Sequence, residues 1–80
     1  MIDFGITQAD AQALVLKLTP REREIAKLIA FGGQRLSVAA QLGISIKTVH
    51  THMDRLLAKL GVTPHGIGRI WFAALVEQGL

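Results

Sequence analysis

The apolar residues of this chain recur at three- and four-residue intervals, and no stretch alternates with period two at strand length. That pattern predicts an all-α fold. Thr7-Gln-Ala-Asp10 can open a helix that runs to about Lys17, with Leu14, Val15 and Leu18 on its apolar side. Thr19-Pro20-Arg21-Glu22 is a stronger start. The threonine can cap, the proline suits the first helical position, and the glutamate can reach back to the cap amide. Ile25, Leu28 and Ile29 then share a face, and Gly32-Gly33 ends the helix. A short helix is expected from about Leu36 to Leu42, before Gly43. Ser45 caps the next, which runs to Leu60 with Val49, Met53, Leu56, Leu57 and Leu60 in one stripe. Thr63-Pro64 opens the last helix, and Gly66 and Gly68 weaken its first turn.

Eighty residues make one small domain. Half of them are hydrophobic, too many for a disordered tail. The lack of cysteine removes a disulfide framework, a thiolate metal site and a thiol nucleophile together. The longest apolar run, Ile70 to Val76, falls far short of the roughly 20 residues of a membrane span. The first residues hold Asp3 and no base, unlike a secretory leader.

Charge changes the picture by its placement. Lys27, Arg35, Lys47, Arg55, Lys59 and Arg69 lie between Ile25 and Arg69, against Asp54 as the one acid there. The other acids gather at the two ends. A basic middle in a small domain points to nucleic acid as partner.

Catalysis finds no support: there are no paired carboxylates, no nucleophile with a base at helical spacing, and no phosphate loop. Gly32-Gly33 reads as a helix stop. His50-Thr-His52-Met-Asp54 has the look of a metal set, but helical residues two apart diverge by about 200°. The chain is therefore expected to be no enzyme and to need neither metal nor cofactor. His52, near the apolar stripe, is expected to be a structural histidine hydrogen-bonded across helices.

The turn Leu42-Gly43-Ile44-Ser45 joins two helices, with Ala39 four residues before Gly43 and Val49 six after. Ala39 must be small where the second helix crosses, and Gly43 permits the left-handed backbone of a three-residue turn. Val38, Leu42, Ile44 and Val49 fill the space between. This is helix-turn-helix spacing, in which the second helix enters the DNA major groove.

Three segments, Leu18-Thr-Pro-Arg-Glu-Arg-Glu-Ile25, Gly43-Ile-Ser-Ile-Lys-Thr-Val-His-Thr-His52 and Lys59-Leu-Gly-Val62, occur in the order and at the distances of the LuxR-type (GerE-type) DNA-binding domain. The chain resembles that family over residues 18–80. The resemblance implies a four-helix domain whose third helix, about residues 45–60, reads double-stranded DNA. Residues 1–17 then form an N-terminal extension, expected to be an additional helix. On a wheel of about 100° per residue, the side opposite the stripe presents Lys47, His50, Thr51, Asp54, Arg55 and Ala58. His50, Thr51 and Asp54 are expected at the bases. Lys47, Thr48, Arg55 and Lys59 are expected at phosphates, beside the amides near Ser45. Arg35, in the polar pair opening the preceding helix, completes the expected DNA-binding set. Family members commonly carry lysine where this chain has His50. The start of the last helix, Thr63 to Gly68, also departs from the family's pattern.

The resemblance also implies a homodimer through the last helix. That helix has two apolar sides. Ile67, Ile70, Trp71, Ala74 and Leu75 suit the domain's own core. Phe72, Ala73, Val76 and Leu80, with Arg69 on the edge, are expected at the dimer interface, unless residues 2–18 fold back and cover them. The expected protein is a transcription regulator without a receiver or sensor domain, acting in the bacterial cytoplasm or a phage-infected host. The alternative is an interaction protein that keeps the fold and antagonises a heteromeric partner regulator, or docks on transcription machinery, without binding DNA.

Overall fold

The computed structural model describes residues 5–75. They form α1 (Gln8–Leu16), α2 (Pro20–Ala30), α3 (Arg35–Leu42), α4 (Ile46–Leu60) and α5 (Gly66–Leu75), with no strand among the described residues. The starts of α1, α2 and α4 each follow from a local side chain. Thr7 accepts from the Asp10 amide and Ser45 from the Thr48 amide. Thr19 and Glu22 make the full reciprocal capping box ahead of α2. The last helix begins later than Thr63-Pro64 suggests. Those residues form a turn, closed by the Gly66 amide on the Thr63 carbonyl, and α5 starts at Gly66.

The α3–α4 turn has the geometry its spacing requires. Gly43 is left-handed at φ 66°. The Ile44 amide returns to the Ala39 carbonyl at 3.1 Å and the Gly43 amide to Ala40 at 3.4 Å, a Schellman closure. Gly33 serves differently. A Cβ there would stand 2.7 Å from the Leu28 carbonyl oxygen, so the α2–α3 connection passes too close to α2 for a side chain.

Ile25, Val38, Val49, Met53, Leu56, Ile67 and Ile70 are buried together and draw α2 to α5 around one core. The α4 stripe lies inside as expected, except that Leu57 is half-buried. Outside it, α1 packs along α5. Ala11 is fully buried there, and Leu14 and Val15 are half-buried against the core. Gln8 and Gln12 donate their side-chain amides to the Ala74 carbonyl at 3.4 and 3.1 Å. That carbonyl lies in the last described turn of α5.

This packing corrects the expected exposure of the second side of α5. Ala73 is 1% exposed and belongs to the protomer's own core, so it offers no surface to a partner. Phe72 is half-buried and meets Phe31 edge to face, at 5.2 Å between ring centres. Arg69 is exposed, with a guanidinium nitrogen 3.1 Å from where a Cβ of Gly5 would stand. Val76 and Leu80 lie outside the described residues.

Candidate nucleic-acid interface

Lys47, His50, Thr51, Asp54 and Arg55 fall at helical spacings of three and four, and all five are exposed on α4. Fifteen residues make this helix about 22 Å long, enough to lie in a major groove. The opposite stripe fixes its orientation by burying Val49, Met53, Leu56 and Leu60. Ser45 stands at the N-cap, with its hydroxyl 2.9 Å from that of half-buried Thr48. The first-turn amides and the helix dipole make this end attractive to a phosphate.

Local bonds restrict what the outward side chains can offer. The Thr51 hydroxyl donates to the Lys47 carbonyl at 3.1 Å. Its proton is thereby engaged, and the side chain presents a methyl group and oxygen lone pairs. Lys47 and Arg55 enter no ion pair among the described residues, so both charges stand available for phosphates. Asp54 sits between them in sequence and brings a negative charge to the same side.

Two expected residues have partners that spacing did not reveal. Arg35, the first residue of α3, reaches across the turn to His50 on α4, with Nη1 2.7 Å from Nδ1. Lys59 turns back to α2. Its ammonium lies 2.7 Å from Glu22 Oε1, the same oxygen that accepts the Thr19 amide at 2.8 Å. Glu22 is 2% exposed. Lys59 therefore neutralises a buried carboxylate, a partner that its expected phosphate contact did not include. Burial acts most strongly on Glu22 and favours its neutral form. The Lys59 ammonium and the Thr19 amide together outweigh burial and hold the carboxyl below its ordinary value. The capping role of Glu22 was legible in Thr19-Pro-Arg-Glu22. The only signal for its second partner was the place of Lys59 on the flank of the α4 stripe.

His52 also departs from expectation. It is half-buried, as its angle from Val49 suggests, but Nδ1 has no hydrogen-bond partner among the described residues. No group of three metal-ligating side chains gathers among the described residues. None of the described helices is long and apolar enough to cross a membrane.

The sequence pattern of the bacterial regulatory proteins of the luxR family matches residues 16–65, which takes in α2, α3 and α4. Over 46 residues the chain is 52% identical to the transcriptional regulatory protein UhpA of Salmonella typhimurium, covering 58% of this chain and 24% of that protein. The Escherichia coli UhpA is 50% identical over the same length. The nitrate/nitrite response regulator protein NarL of E. coli is 36% identical over 64 residues, 80% of this chain and 30% of that one. The chain thus spans a quarter to a third of the curated relatives named here. No solved structure matches it.

Proposed function

Because the chain belongs to the luxR family of bacterial regulatory proteins, we propose that it binds double-stranded DNA sequence-specifically, as a homodimer, and regulates transcription. The observation that supports this most is the outward stripe Lys47, His50, Thr51, Asp54 and Arg55 on a capped helix held by its own buried stripe. In this reading α4 lies in the major groove. Lys47, Thr48 and Arg55, with the amides following Ser45, anchor phosphates and set the register. His50, Thr51 and Asp54 face base edges. The outward methyl of Thr51 suits a thymine methyl, and Asp54 suits a cytosine amino group.

Dimerisation is proposed through what α1 leaves open beside α5. Phe31 is 63% exposed and leans on Phe72, giving an aromatic patch of the kind that marks an interface. Arg69 is proposed at the edge of this contact.

Selection from a random duplex library, followed by titration of the winners from about 50 to 200 mM salt, tests the reading. An enriched, roughly palindromic site whose affinity falls steeply with salt is the expected result. Failure to enrich any site, with no salt dependence at micromolar protein, overturns it in favour of an interaction protein.

A further inference from the structure

The Arg35–His50 contact assigns a chemistry to His50 that the helix wheel does not. A guanidinium has donors only and keeps its charge throughout the pH range of proteins. At 2.7 Å from Arg35 Nη1, His50 Nδ1 must therefore be the acceptor, with its lone pair facing the arginine. A neutral imidazole carries one ring proton, which then stands on Nε2. Without such a partner, either nitrogen can hold it. His50 is exposed and lies on the outward side of α4. Arg35 comes from a different helix, fixed to α4 by the Schellman closure at Gly43.

We propose that Arg35 is a positioning residue that fixes His50 as a pure donor, so that His50 selects a base presenting an acceptor. Resting on the reading of α4 as the groove helix, this predicts guanine N7 or O6, adenine N7, or thymine O4 opposite Nε2–H. It also predicts rejection of cytosine, whose major-groove group is an amino donor. The remaining N–H groups of Arg35 suit the neighbouring phosphate.

The first arm of the test needs no DNA. Long-range nitrogen–proton correlation on the ¹⁵N-labelled protein at pH 8 should place the His50 proton on Nε2. Arg35→Met should give a mixture of tautomers, and Arg35→Lys, which restores a donor, should return the wild-type pattern. A wild-type proton on Nδ1, or an unbiased mixture, overturns the proposal.

The second arm uses the duplex library. Arg35→Met should lose at least about tenfold discrimination against cytosine at one position of the half-site, while the other positions keep their order. His50→Ala should lose the same preference, and the double variant should lose no more than either single one. If His50→Ala keeps the preference, Arg35 reads the base itself and the proposal fails. If Arg35→Met keeps it, the tautomer does not govern selection and the proposal fails while DNA binding stands. A wild-type chain that enriches no duplex overturns both readings.

Discussion

Glu22 shows how one side chain joins two helices. Its Oε1 accepts the Thr19 amide at the start of α2 and the Lys59 ammonium from the end of α4. The carboxyl is held below its ordinary value of 4.5. Above that value both folded and unfolded chains carry the charge, and the stabilisation is fully present. As pH falls below it, the unfolded chain takes up the proton first, and the stabilisation is lost as pH falls through the lowered folded value. Glu22→Gln keeps an oxygen for the cap and removes the charge. It should cost about 2 kcal/mol in urea melts at neutral pH, and the gap from wild type should narrow as pH falls below 4.5 and through the lowered folded value. A gap unchanged by acid would detach the stability from the ion pair. Lys59→Met should destabilise by a similar amount, about 2 kcal/mol, less than for a fully buried pair because the ammonium is partly exposed. On DNA the two cations should separate. Arg55→Ala should reduce the slope of log affinity against log salt by about one, and Lys59→Met should leave that slope unchanged.

At the scale of the element, α2, α3 and α4 were legible because each ends in a strong local signal and each carries its own buried stripe. Thr19-Pro20, Gly43 and Ser45 act through their own backbone, and local rules suffice there. The partners of Arg35, Lys59 and Ala73 were not legible, because each depends on how helices distant in sequence lie against one another. Ala73 is the sharpest case. It was expected on an open side of α5, but it is enclosed in the core of the same chain. The small Ala11 lets α1 approach closely, and Gln8 and Gln12 hold the end of α5 through the Ala74 carbonyl. Ala11→Arg puts a long charged side chain into a fully buried site. It should unseat α1, with a loss of about 3 kcal/mol or more from overpacking and an unpaired charge. Hydrogen exchange should then rise in α1 and the last turn of α5 while α3 and α4 stay protected. Uniform loss of protection would mean that α1 is integral to the core rather than laid upon it.

For the whole molecule, the cover that α1 gives α5 narrows where a second copy can sit. With Ala73 enclosed, the Phe31–Phe72 patch is one apolar surface open beside α5 among the described residues, Leu16 beside Leu75 is another, and Phe31 is the more exposed ring of the aromatic pair. Phe31→Asp should therefore leave the fold nearly intact, since it alters an exposed side chain. In sedimentation it should move the protein from dimer to monomer. On a palindromic site it should replace cooperative binding by two independent weak events. Two-fold symmetry adds a second constraint. The paired α4 helices reach successive major grooves only when the half-site centres lie about one turn, 10–10.5 base pairs, apart. Inserting about five base pairs between the half-sites turns one groove to the opposite face of the duplex. The wild-type protein should then fall to the affinity of a single half-site, where Phe31→Asp already lies. If the insertion weakens both proteins equally, the half-sites are coupled through the DNA itself, and the aromatic patch is not what joins the two copies.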